Sequence, residues 1–145
     1  NGSQDIIDSL NLHDRVKHWT FGRDYDRQHF RQEDFLDSLN MTLNKMRTDG
    51  CGLILFQAGA DMSIDDPLGG AATVEELRER DRFVFAACKE LRMPVAWTLS
   101  GGYSRDESGG IKPVIELHRG TMEEGLRAFA DDLPAVVGAL QSLGH

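Results

Sequence analysis

Apolar residues along the chain fall into runs of two kinds. One unbroken run of large apolar residues, Leu53-Ile54-Leu55-Phe56, leads into Gln57-Ala58-Gly59-Ala60-Asp61, a small-residue turn that ends on a carboxylate. An apolar run closed by glycine predicts a strand buried on both faces of a parallel sheet. A second run, residues 95–99, follows Pro94, which suits the start of a strand, and passes into Ser100-Gly101-Gly102-Tyr103. Elsewhere the apolar period is that of a helix. Phe35, Leu36, Leu39, Leu43 and Met46 are spaced for an amphipathic helix with acids before it and Gly50 after it. Thr73-Val74-Glu75-Glu76 is a T-x-x-E capping box, and Leu77, Val84, Cys88 and Leu91 continue as a buried stripe. Pro113 fits the first turn of another helix, in which Val114, Ile115, His118, Met122 and Leu126 share a face. Toward the ends, a helix is predicted over residues 3–11, capped by Ser3 with Asp5 in its first turn and Ile6, Ile7 and Leu10 on one face. A strand is predicted over 15–21, through Val16, Trp19 and Phe21, and a final helix after Asp132-Leu133-Pro134, with Val136, Val137, Leu140 and Leu143.

Strands alternating with helices predict an α/β fold: a parallel sheet with flanking helices and right-handed crossovers, as one domain over residues 1–145. A chain of 145 residues can bury a sizeable core. Its formal net charge of -8 argues against a nonspecific nucleic-acid binder, which needs clustered Lys and Arg. No apolar run approaches a membrane span, and residues 1–5 lack the pattern of a signal peptide. Cys51 and Cys88 form no CxxC pair and read as reduced structural thiols, so the expected location is the cytoplasm. The polar segment 23–32 reads as a surface loop, and Glu75, Glu76, Arg78, Glu79 and Arg80 as the wet face of their helix.

In open parallel sheets, ligands sit just beyond the carboxyl ends of the strands. Asp61 and Tyr103 would share that edge. A carboxylate there can ligate a metal, a phenol can donate a hydrogen bond to an oxyanion, and Gly101 and Gly102 let the backbone line a narrow channel. A loop-capping aspartate and a packing tyrosine account for the same spacing. One carboxylate also falls short of the about three protein ligands of a catalytic zinc. His118, on an apolar stripe, reads as a hydrogen-bonded packing residue. Ser100-Gly101-Gly102-Tyr103 lacks the G-x-G-x-x-G fingerprint of a nucleotide site.

Taken in order, Gln57-Ala58-Gly59-Ala60-Asp61, Asp65-Asp66-Pro67-Leu68-Gly69, Glu79-Arg80-Asp81-Arg82, Pro94-Val95 and Gly101-Gly102-Tyr103 resemble the C-terminal half of the bacterial histone deacetylase-like family. That family includes acetoin-utilisation and acetylpolyamine deacetylases. The likeness runs from the N-terminus to about Arg127. It implies a partial arginase/deacetylase-like fold and zinc-dependent hydrolysis of acetylated small amines or acetyl-lysine. Asp61 matches the family's third zinc ligand, and Tyr103 the tyrosine that stabilises the tetrahedral oxyanion. Gly101 and Gly102 match the glycines beside the acyl channel. Thr20 and Phe21 match a hydroxyl and a carbonyl on a structural monovalent cation. The family's other two zinc ligands, in a D-x-H segment, and its catalytic histidine pair would lie before Asn1-Gly2, which looks like the tail of a G-N-G turn. His13, His18, His29, His118 and His145 have no spacing that would replace them. The resemblance therefore implies a chain that is inactive alone. The other expectation is a non-catalytic module whose open sheet edge or face mediates homo-oligomerisation or partner binding.

Overall fold

The computed structural model describes residues 2–20, 30–68, 70–132 and 134, and only the backbone of residues 2–4. The chain is mixed α/β. In order come α1 (Gly2–Ser9), α2 (Gln32–Thr48), β1 (Ile54–Gly59), a 3-10 turn (Ala60–Met62), α3 (Val74–Glu90), β2 (Val95–Ser100) and α4 (Lys112–Phe129). β1 and β2 pair in parallel, from Ile54 opposite Val95 to Gly59 opposite Ser100. The chain must cross over between parallel strands, and α3 is that crossover. Its capping box forms as the sequence predicts: the Glu76 N–H donates to Thr73 Oγ1 at 3.3 Å, and the Thr73 N–H to Glu76 Oε2 at 2.7 Å.

α2 buries Phe35, Leu39 and Leu43, one face at four-residue spacing, against Val84 and Cys88 of α3 and Ile54 of β1. Acids open α2 and Lys45 and Arg47 close it, as its dipole favours, and Arg47 donates to the Leu91 carbonyl beyond α3. Phe85 is the fully buried hinge of the other side of α3. Its ring meets Phe56 of β1, Trp97 of β2 and Phe129 of α4 edge-on, with centroids 5.3–6.4 Å apart. Both thiols are free; Cys51 is half-buried, and burial pushes the Cys88 thiol up to about 11, which makes it inert.

Three expectations are corrected. Among the described residues, the sheet is covered on one face only, and best along β1: Ile54 and Ala58 are buried while Trp97 and Leu99 of β2 on the same face stay partly exposed, and on the other face Leu55 is 77% exposed with Gln57, Ala96 and Thr98. Ile54 and Phe56 pack with the α2 and α3 side chains of the core. The predicted strand over 15–21 is not a strand in its described part, residues 15–20. Turns closed onto the Leu12 carbonyl shape its start, and Trp19 packs on Phe35 at 5.9 Å instead of pairing with β1. Most informative is α4, whose predicted stripe is buried only at Val114; Ile115, Met122 and Leu126 face outward while Gly120, Thr121, Glu124 and Gly125 are buried. Small residues let α4 come close to α3: a Cβ on Gly125 would lie 3.3 Å from the Phe85 ring. The predicted final helix falls in residues outside the described ones, apart from Pro134 and Asp132, as does the Ser3 side chain. No described helix is long and apolar enough to cross a membrane.

Glu124 is buried because α3 surrounds it with cations. Arg78 and Arg82 reach it from α3 at 3.1–3.3 Å, and Arg127 chelates it from its own helix at 2.8 and 2.9 Å. Burial raises its carboxyl, but the hydrogen bonds from Arg82 and Arg78 and the charges of Arg82 and Arg127 outweigh that, and the net shift is downward. A depressed folded value means the stabilisation is full above the unfolded glutamate value and is lost as pH falls through the folded one. Glu124→Gln should therefore cost about 2 kcal/mol in urea denaturation at neutral pH, since an amide cannot neutralise three guanidinium groups. The gap to wild type should narrow as the pH is taken below 4.5.

Candidate functional site

The carboxyl ends of both strands stop together, because Gly59 and Ser100 are the last partners in register. Asp61 sits in the 3-10 turn that follows β1. Its carboxylate lies against backbone on both strands: a Cβ on Gly59 would fall 2.6 Å from Asp61 Oδ1, and one on Gly101 only 2.4 Å. Gly101 also has φ +60° and Gly102 φ +92°, conformations that L side chains rarely adopt. A Cβ on Gly102 would fall 2.6 Å from Val114 Cγ1 and 3.1 Å from Ala60 Cβ. The turn after β2 is thus glycine for two reasons, its backbone conformation and its closeness to the Asp61 turn and the first turn of α4.

Tyr103 follows directly, 49% exposed, and its N–H donates to Asp66 Oδ2 at 2.7 Å. Ser104 Oγ donates to the Asp65 carbonyl at 3.0 Å. The loop that begins after Asp61 therefore grips the segment that carries Tyr103. Ser63 pairs with Ala72 across the neck of that loop, just before the capping box of α3. Pro67 holds the loop off a helical path, as its effect on the preceding residue predicts.

Behind the site lies a buried polar chain. Arg80, grouped by the sequence pattern with the wet face of α3, is only 4% exposed. Its Nη1 donates to the Gly59 carbonyl at 2.9 Å and its Nε to Asp81 Oδ1 at 2.8 Å. Thr121 Oγ1 of α4 donates to Asp81 Oδ2 at 2.6 Å. These residues border a cavity of about 30 Å³, room for one or two waters, which His118 and Arg78 also line. His118 Nδ1 is buried and has no hydrogen-bond partner among the described residues, so the packing histidine expected from the stripe is only half right.

The structure thus brings Asp61, Gly101, Gly102 and Tyr103 to one sheet edge. Thr20 is half-buried and follows Trp19 at the α2 side of the molecule. Phe21, His29 and His145 lie outside the described residues. His13 is exposed, 3.5 Å from Asp8. Among the described residues, no three His, Cys, Asp or Glu side chains come together as metal ligands. Neither a protein-family model nor a curated protein matches the chain. Sequence reasoning missed Arg80 and Asp66 as supports of the site. Their signal was present, an arginine at helical spacing among acids and an acid just before a proline, but nothing in it says that either is buried.

The fit of Asp61 against Gly101 can be tested directly. Gly101→Ala adds a side chain at positive φ into the space of the Asp61 carboxylate, and should cost about 2 kcal/mol or more in urea denaturation. Gly52→Ala is the comparison, because a Cβ there meets nothing within 4 Å. It should stay within about 0.5 kcal/mol of wild type.

Proposed function

We propose that this chain contributes one half of a zinc-dependent deacetylase site for acetylated small amines or acetyl-lysine, within a partial arginase/deacetylase-like fold. The observation that carries the reading is the meeting of the Asp61 carboxylate with the Gly101-Gly102-Tyr103 turn at one strand edge. A carboxylate packed against the glycine turn that leads into a half-exposed tyrosine suits hydrolysis of an amide. The acid can hold a cation, and the hydroxyl can donate its hydrogen to the oxygen that becomes negative in the tetrahedral adduct. On this reading Gly101 and Gly102 would edge the acyl channel, as the family resemblance implies.

By itself the donor set does not fit zinc. A catalytic zinc takes about three protein ligands, and Asp61 is one carboxylate without a described ligand neighbour. Two further donors and a general base have to come from residues other than the described ones, in the same polypeptide or in another. A monovalent cation at Thr20 and Phe21 and a cytoplasmic setting belong to the same reading.

The test is to supply the missing donors. With a segment carrying the D-x-H ligands and the catalytic histidine pair added in trans or in cis, the chain should hydrolyse an acetylated amine. Tyr103→Phe should then lower turnover about 100- to 1,000-fold while bound zinc, measured by atomic absorption, stays the same. Near-normal turnover in that variant would remove the phenol from the chemistry. Without the added segment, calorimetric titration should show no saturable zinc binding at micromolar concentration.

A second reading is favoured by one specific observation, the uncovered sheet face with Leu55 at 77% exposure. Such a surface suits a second copy of the chain pairing across the open strands. Light scattering should then show a dimer, and a monomer at the highest attainable concentration would exclude it.

A further inference from the structure

The turn that leads to Tyr103 has little stiffness of its own. Gly101 and Gly102 carry no side chains, and glycine is the residue with the most backbone freedom to lose. Something outside the turn must therefore set where Tyr103 sits. Asp66 meets that need. It is 4% exposed, and Oδ2 accepts the Tyr103 N–H at 2.7 Å while Oδ1 accepts the Leu68 N–H at 3.0 Å. Its own N–H donates to the Ser63 carbonyl at 2.9 Å, and Ser63 is bridged to Ala72 at the start of α3. The neighbouring Asp65 carbonyl accepts from Ser104 Oγ, so two consecutive acids hold two consecutive residues.

We propose that Asp66 is the positioning residue of the site. Its carboxylate fixes the Tyr103 backbone to the loop that carries Asp61, and so sets the phenol relative to the acid. What Tyr103 does once positioned rests on the deacetylase reading; the anchoring does not. A carboxylate that accepts two N–H groups in a buried place makes charge-assisted bonds, roughly twice as strong as neutral ones. An amide in its place offers one acceptor and turns a donor toward an N–H.

The experiment uses the full ¹⁵N-labelled chain and compares wild type with Asp66→Asn and Asp66→Ala. Amide hydrogen exchange at Tyr103 should speed up by about tenfold in Asp66→Asn and further in Asp66→Ala. The Tyr103 ring signals should narrow as the side chain gains motion, while the Phe85 amide in α3 keeps its protection. Unchanged exchange at Tyr103 would overturn the proposal. So would a parallel loss of protection at Tyr103 and Phe85, the mark of a residue that only supports the fold. Asp66→Asn, close in shape to the native residue, decides the matter if Asp66→Ala does not fold. In the completed enzyme, Asp66→Asn should lower kcat and leave KM unchanged. A wild-type chain that stays inactive after the missing ligands are supplied would refute the deacetylase reading, and the exchange result at Tyr103 would still decide the anchor.

Discussion

A guanidinium does not give up its proton inside a protein, so a buried arginine obliges its surroundings to satisfy it. Arg80 imposes that obligation on α3 and β1 directly, and on α4 through Asp81. Asp81 neutralises it within α3, the Gly59 carbonyl accepts from it at the end of β1, and the Phe56 ring lies under it at 5.5 Å. Asp81 is in turn held by Thr121 of α4. Loss of any member leaves a charge or a polar group buried without its partner, typically a cost of several kcal/mol. A two-stranded sheet alone is marginal in water. Here the place where β1 ends, and hence where the Asp61 turn begins, is set by α3 as much as by strand pairing.

The two loops at that edge are built differently. On the Asp61 side, the turn is short, and its carboxylate fills space left by two glycines. On the Tyr103 side, the backbone is free of side chains for two residues and then caught by Asp66. Arg80 therefore holds the end of β1 and Asp66 the segment after β2. Both are only 4% exposed, while Tyr103 stays 49% exposed and Asp61 half-buried.

Much of the fold was legible in the sequence, and the failures share one cause. The capping box at Thr73, the α2 stripe from Phe35 to Leu43 and the strands that end at Gly59 and Ser100 follow from local patterns, because each needs only neighbours along the chain. The helix α4, its Pro113 start and the burial of Val114 follow from the sequence, but the rest of its buried face was misread because hydropathy ranks Ile115 and Met122 above Gly120 and Gly125. The helix turned to the side where backbones could come close and where Arg78 and Arg82 awaited Glu124. Leu55 was expected inside because an apolar run cannot say how many of its faces are covered. At the site, Asp61, Tyr103 and the glycines could be singled out from their place after strands. Asp66 and Arg80 could not be assigned roles, since those come from hydrogen bonds to residues far off in sequence.

The contact between Asp61 and Gly101 ties the histories of two positions together. An acid at 61 fills the volume in which a side chain at 101 would have to grow. Drift at 101 is therefore blocked for as long as the carboxylate is kept. Once the acid shrinks to glycine, its steric bar at 101 is lifted, whereas alanine would keep a Cβ 3.1 Å away; the positive φ favours glycine at 101 in either case. A lineage that stops using this pocket should lose the acid first and the glycine afterwards, and the reverse order would have to pass through a strained intermediate.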